Sequence, residues 1–406
     1  MTHPVGHLDA DCFYVSAERV RDPFLLHKPV GVLGNQGACV IAKSYEMKAA
    51  GVQTGEPIWD ALKKCPQGIY IKRDFRWYEV LSRAMLDVLR ELSPRVEYYS
   101  IDEFFFQVLP YRGLSYQATA ESIRDHLFQR VGVPVTVGIA STKTLAKLIS
   151  DTAKPFGALA VLDPDDVQIM LAKRPVTDIC GIAGRRGARL ARHGITTCLE
   201  FAKADRRLIR RLLTITGEYL WWELNGESVL PFHTERPPHK MLSRGGSIGA
   251  ATHDPNVLFA WLVRNLERLV EELEFHQVYT GRLNVYVGYR DGLAGSGQAS
   301  LMSATDRFDL LLEAAKQALR QAWIAGAAAQ RMHLIASKLR WRGCVQGGLF
   351  DPPAEQAEAI ARLKREVNQR FGRFTLRSGV TLFLDEVYRD SANNFDICDV
   401  HGKMCF

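Results

Sequence analysis

Residues 77–92 place Val80, Leu81, Ala84, Met85, Val88, Leu89 and Leu92 at three- and four-residue intervals, the repeat of one buried helix face, and the pattern stops at Ser93-Pro94. Helices are predicted over 117–130, 257–274 and 307–323 as well, the last two each with an apolar stripe. Short apolar runs predict strands at 30–33, 39–42 and 133–140, with a turn at Gly34-Asn35-Gln36-Gly37 and a helix from Ser44 to Gly51. The N-terminal run His7 to Val15 reads as a strand, followed by a helix beginning near Ser16. In Gly281 to Arg290, Leu283, Val285, Val287 and Tyr289 alternate with Arg282, Asn284, Tyr286 and Arg290, so one face is buried and the other meets solvent or a partner.

Strands and helices mixed in this order predict a multidomain α+β chain. The stretch Pro231 to Lys240, with Pro237-Pro238 and little apolar content, reads as a linker. Beyond it the order is β-α-β-β-α-β, ending in a strand around 331–342. The 406 residues are 47% hydrophobic and 24% charged, which suits several globular cores, and no apolar run is long enough to span a bilayer. Eight cysteines without regular spacing fit free thiols in a reducing cytoplasm, the expected location. The net charge of +7 is unevenly spread: Arg185, Arg186, Arg189, Arg192, Lys203, Arg206, Arg207, Arg210 and Arg211 face only Glu200 and Asp205 within 185–211. Such a patch suits a phosphate backbone, with a solvated helical face as the alternative.

The candidate chemistry lies at Tyr98 to Phe106, where Asp102 and Glu103 interrupt a run of strand-forming residues. The pair is expected at the tip of a hairpin joining 96–101 to 104–108, where both carboxylates converge on one cation; a solvated acidic turn is the alternative for the pair alone. Asp9 adds a third carboxylate from the first strand. Three acids from two strand segments suit hard, oxygen-seeking cations such as Mg2+. Two such ions about 3.5–4 Å apart serve phosphoryl transfer. Two-metal nucleotidyl transfer is the expected reaction.

These motifs, Asp9 to Tyr14, Val40 to Gly51, Ser100 to Glu103, Val135 to Lys147 and Ala153 to Gly157, occur in the order found in Y-family DNA polymerases, and over residues 7 to about 350 the chain resembles that family, most closely its UmuC-type branch. The resemblance implies a right-handed polymerase fold: palm (1–22 and 78–166), small fingers (23–77), helical thumb with a helix-hairpin-helix (167–230), linker (231–240), little finger (241–342) and a C-terminal tail (343–406). It assigns two Mg2+ ions to Asp9, the Ala10 carbonyl, Asp102 and Glu103, and leaves Asp11 outside the metal shell. Tyr14, expected one turn before its helix, is the steric gate against ribonucleotides; Tyr45, Lys48 and Lys154 hold the triphosphate. Lys48 stands where many relatives carry Arg, which removes a bidentate fork. Ala42 replaces a hydroxyl residue of DinB-type members and supports the UmuC-type assignment.

By the same resemblance, Gly181 and Gly184 with Arg185, Arg186 and Arg189 form the DNA-binding hairpin of the thumb, and Lys338, Arg340 and Arg342, alternating with Leu339 and Trp341, face duplex DNA. Gln346, Leu349 and Phe350 resemble the peptide that docks bacterial polymerases on the sliding clamp; a Gly-rich turn packing locally is the alternative. Primer-template DNA and deoxynucleoside triphosphates are the expected substrates, with UmuD-like or RecA-like proteins as activating partners and translesion synthesis in SOS-type damage tolerance as the expected role. Two rivals stay open: a non-catalytic accessory protein that keeps the fold for binding, and an enzyme active only with its partners.

Overall fold

The computed structural model describes residues 3–34, 39–109, 113–235, 238–345 and 355–384. The chain divides into two compact units at residues 236 and 237. In the first, β1 (Val5–Ala10) leads into α1 (Phe13–Arg21), followed by β2 (Val30–Leu33), β3 (Val40–Lys43), α2 (Tyr45–Ala49), α3 (Ile58–Lys64) and β4 (Ile69–Lys72). Then come α4 (Phe75–Leu92), β5 (Val96–Tyr98), β6 (Glu103–Gln107), α5 (Tyr116–Val131), β7 (Val135–Ala140), α6 (Lys143–Ala153) and β8 (Ala158–Ala160). The helices α7 (Pro164–Ala172), α8 (Gly184–Ala191), α9 (Cys198–Lys203) and α10 (Arg206–Leu224) complete it.

β1 is buried along its whole length because it is the middle strand of a five-stranded sheet ordered β5-β6-β1-β7-β8. Alternation divides this sheet into two faces. Leu8, Phe104, Phe106, Val137 and Ile139 turn toward α5. Val5, His7, Phe105 and Gly138 turn toward α6, where the His7 Nδ1 lies 2.7 Å from Ser150 Oγ. Gly138 is required there: a Cβ would stand 2.4 Å from the Ala146 carbonyl oxygen, so any side chain would push α6 off the sheet. The far side of α6 packs Leu145, Leu148 and Ile149 into one core with Val176, Ile179, Leu190, Phe201, Leu213 and Leu224 from the helices that follow. A separate three-stranded sheet, β3-β2-β4, forms a small core around Val40, Met47, Val52 and Ala61.

The second unit contains β9 (Met241–Thr252), α11 (Pro255–Phe275), β10 (Val278–Tyr289), β11 (Ala294–Thr305), α12 (Phe308–Ala322), β12 (Ala329–Trp341) and α13 (Glu355–Phe371). Its sheet runs β11-β10-β12-β9, and Leu266, Leu269, Leu283, Val285, Leu311 and Leu334 build the core between sheet and helices. Of the stretch expected as a C-terminal tail (343–406), residues 355–384 pack on this unit. Phe374 and Leu384 enter this core, while Lys364, Arg373 and Arg365 pair with Glu267, Glu271 and Glu274 of α11. The apolar residues Ile360, Leu363 and Phe371 of α13 are exposed, so the apolar pattern of this helix does not mark the packing.

Two expected boundaries also change. Tyr14 does not precede its helix: α1 starts at Phe13, because Cys12 takes a left-handed conformation (φ 46°) that turns the chain straight out of β1. Arg342 is not on the last strand, which ends at Trp341.

Candidate active site

Asp9 and Glu103 face each other as register partners on β1 and β6. They lie on the α6 face of the sheet, one strand pair beyond His7 and Phe105. Asp102 sits in the turn just before Glu103, and its backbone carbonyl accepts a 2.9 Å hydrogen bond from the Ala10 N–H. The hairpin is therefore as expected in outline, except that Glu103 already belongs to the strand and only Asp102 is at the tip.

Opposite these acids, α6 and its end carry Lys143, Lys147, Asp151 and Lys154, spaced four, four and three residues apart and so sharing one helical face. Lys147 Nζ is 2.5 Å from Glu103 Oε1, and Lys154 Nζ is 2.7 Å from Asp9 Oδ2 and 3.2 Å from Asp151 Oδ1. Asp102 turns instead to Ser100, whose hydroxyl donates to Oδ1 at 2.5 Å. Burial pushes the Asp9 carboxyl up to about 7; Lys154 opposes this, and the negative charges of Glu103 and Asp102 add to it. For Lys154, burial acts to lower the ammonium pKa but Asp9 and Asp151 raise it overall. His7, fully buried behind the site, is held neutral by burial and then by Lys147 and Lys154. Its Nε2 makes no hydrogen bond among the described residues.

Among the described residues, no three acidic, histidine or cysteine side chains approach closely enough to hold one metal ion together. The physical reason is in the pairing: Asp9 and Glu103 are each turned to a lysine and Asp102 to a serine. The donors are nevertheless of the right kind, all oxygen, anionic and on adjacent backbone positions, and a buried carboxyl raised to about 7 is a group short of positive charge. Asp9, Asp102 and Glu103 are thus of the donor type that hard divalent cations take.

Tyr14 is 5% exposed and stacks on Tyr78 with ring centroids 4.6 Å apart, edge-on to Phe75 at 5.6 Å. Tyr45, capped into α2 by Ser44, points its hydroxyl at Asp11 Oδ1, 3.4 Å away. Lys48 is exposed on the same short helix.

Of the expected DNA-binding residues, Gly181 needs its glycine (φ 90°), and Gly184 opens α8 with Arg185 exposed beside it. Arg186 and Arg189 each donate at 2.8 Å to a backbone carbonyl, of Gly181 and Leu212, which fixes the guanidinium groups while leaving both residues exposed. Lys338 and Arg340 are exposed on β12, whereas Arg342 pairs with Asp306 and lies over the Tyr279 ring, so its charge is already engaged. Gln346, Leu349 and Phe350 lie outside the described residues.

Sequence reasoning passed over Lys147 as a site residue and set Asp11 aside. The four-residue spacing from Lys143 to Lys147 to Asp151 was a signal that one helix face is charged, although only the sheet packing shows what it faces.

The impB/mucB/samB family matches residues 8–151, and the C-terminal domain of the same family matches residues 239–349. DNA polymerase IV 1 of Bacillus subtilis is 29% identical over 391 residues, 94% of each chain. DNA polymerase IV of Oceanobacillus iheyensis is 30% identical over 329 residues, 79% of this chain and 77% of its own. Protein UmuC of Salmonella typhimurium is 28% identical over 384 residues, 91% of each chain. Relatives named DNA polymerase IV and the relative named UmuC therefore match at nearly equal identity. Among solved structures, a chimaeric Y-family DNA polymerase built on Dbh shares the fold with a TM-score of 0.71 at 22% identity, covering 83% of this chain and 99% of that one. An insertion ternary complex of Dbh DNA polymerase gives 0.55 at 21% identity, with the same coverage. The two family matches fall one in each unit, and together with relatives that align nearly end to end they make this chain a member of the impB/mucB/samB family, the Y-family translesion DNA polymerases.

Proposed function

We propose that the chain joins deoxynucleotides to a primer strand on a DNA template, with the primer 3′-oxygen attacking the α-phosphorus of a nucleoside triphosphate and pyrophosphate leaving. The observation that carries this reading is the facing pair Asp9 and Glu103, with Asp102 beside them, each of the pair opposite a lysine of one helix face. Asp9, Asp102, Glu103 and the Ala10 carbonyl would hold two Mg2+ ions, which would supply positive charge for the attacking and leaving oxygens. The protein's own part is positioning and electrostatics, which provide most of the catalysis in phosphoryl transfer. Lys154, released from Asp9, steadies the triphosphate together with Tyr45 and Lys48. Lys147 balances the charge of Glu103. Tyr14, wedged against Tyr78, is a rigid aromatic whose immobility suits a gate against a ribose 2′-hydroxyl.

Low-fidelity synthesis across damaged template bases is the role that the family supports, and DNA contacts through Gly181, Gly184, Arg185, Arg186, Arg189, Lys338 and Arg340 belong to the same reading. Arg342 is dropped from it. A sliding clamp bound through Gln346, Leu349 and Phe350, UmuD-like or RecA-like activators and a cytoplasmic location are further parts of the proposal; no helix of the described residues is long and apolar enough to cross a membrane. The test is extension of a labelled primer with Mg2+ on undamaged and abasic templates, with Asp102→Ala alongside. Extension by the parent and a loss of about a thousandfold or more in the variant are expected for a residue that holds the reacting charge. Equal activity in both proteins would remove Asp102 from the site.

A further inference from the structure

Asp11 follows Asp9 by two residues, and in a continued strand both would point to one face. The strand stops at Ala10, however, and the left-handed Cys12 swings the chain into α1. The backbone of Asp11 is fixed first: its N–H donates to the Pro134 carbonyl at 2.9 Å, and its own carbonyl accepts from Ser16 Oγ at 2.5 Å. Its carboxylate, on a residue only 3% exposed, then gathers three donors from separate parts of the first unit. Thr136 of β7 donates its hydroxyl, 3.1 and 3.0 Å from the two carboxylate oxygens; the Phe156 N–H donates at 2.7 Å; and the Tyr45 hydroxyl donates at 3.4 Å. Phe156 adopts φ 47°, which is unfavourable for a bulky side chain, and the bond to Asp11 helps to hold it there. That residue lies two positions after Lys154.

We propose that Asp11 is a positioning residue whose carboxylate fixes the Tyr45 ring and the turn carrying Lys154 relative to Asp9, so that the ammonium meant for the triphosphate is preorganised and the single Tyr45 hydroxyl proton is parked on Asp11 until it turns to a phosphate oxygen. The inference rests on the polymerase reading above. An acceptor-only group is needed because all three partners donate; an amide would present its NH2 to at least one of them. Asp11 thus acts through Tyr45 and Lys154 and holds no metal.

The test is a double-mutant cycle of Asp11→Asn and Tyr45→Phe in the full chain, reading kcat, the KM for the nucleotide, nucleotide affinity by tryptophan quenching, and the Mg2+ concentration for half-maximal activity. Asp11→Asn is expected to raise KM and weaken nucleotide affinity by about tenfold, the scale of one hydrogen bond to a charged group, with kcat changed far less. Combining it with Tyr45→Phe should add little, and the Mg2+ midpoint should stay in place. Multiplying effects would overturn the coupling, and a shifted Mg2+ midpoint would make Asp11 a metal ligand. Should Asp11→Asn fail to fold, Thr136→Val removes one donor and leaves the carboxylate; it is expected to move KM in the same direction by a few fold, and no movement counts against the proposal. A parent protein that extends no primer would tell against the polymerase assignment, while its nucleotide affinity against that of the variants still decides the part played by Asp11.

Discussion

Lys147 and Lys154 hold the places of positive charge beside Glu103 and Asp9, and this sets up a competition between ammonium and metal. Burial and neighbouring acids raise Asp9, so its charge is tolerated only when a cation is close. Removing one ammonium should therefore ease the entry of the metal. Lys147→Met is expected to lower the Mg2+ concentration for half-maximal primer extension about threefold, since charges a few ångströms apart at a partly wet site interact by at most a few kcal/mol. A Mg2+ titration of both proteins checks this; an unchanged or raised midpoint would show that Lys147 does not compete. The three acids were legible in the sequence because carboxylates in a strand pattern are anomalous. Their lysine partners were not, since a lysine in a helix is ordinary until the face it shares is known.

Among the elements, α9 shows how a short helix of six residues is held in place. Thr197 and Glu200 form a capping box: Thr197 Oγ1 accepts from the Glu200 N–H at 3.1 Å, and Glu200 Oε2 accepts from the Thr196 and Thr197 N–H groups at 2.8 and 2.9 Å. Those bonds hold the Glu200 carboxyl down at about 2. Because the folded value lies below the unfolded one of about 4.3, the contribution is complete above that pH and is lost as pH falls from about 4.3 toward 2. Thermal melts of the parent and Glu200→Gln should differ at neutral pH and converge below about pH 4; a gap that stays constant down to pH 3 would exclude the carboxylate as its source. β12 shows a different limit of pattern reading. Met332, Leu334 and Ala336 point inward, so unbroken alternation would bury Lys338 and Arg340. Lys338 instead takes φ 54° and shifts the parity by one residue, sending Leu339 to the core and leaving Lys338 and Arg340 exposed. The DNA-facing reading of Lys338 and Arg340 requires both to be exposed, and the shift in parity makes them so. For Arg342 the strand had already ended, and Asp306, distant in sequence, took its charge.

At the scale of the whole molecule, the two units have separate hydrophobic cores, so a cavity in one should be felt chiefly there. Leu266→Ala, in the fully buried centre of the second core, is expected to cost about 2–5 kcal/mol and to lower the unfolding temperature of that unit while the first unfolds as before. Calorimetry resolves the two transitions, and an equal downward shift of both would show that the units unfold together. The α+β order, the β-α-β-β-α-β unit and the candidate acids were all determined by the sequence, because hydrophobic period and misplaced charge are local properties of the chain. Tertiary structure alone decided which lysine meets which acid, that Asp11 serves three donors, and that residues 355–384 complete the second core. Each of these joins groups up to 145 residues apart, and no local period encodes such a meeting.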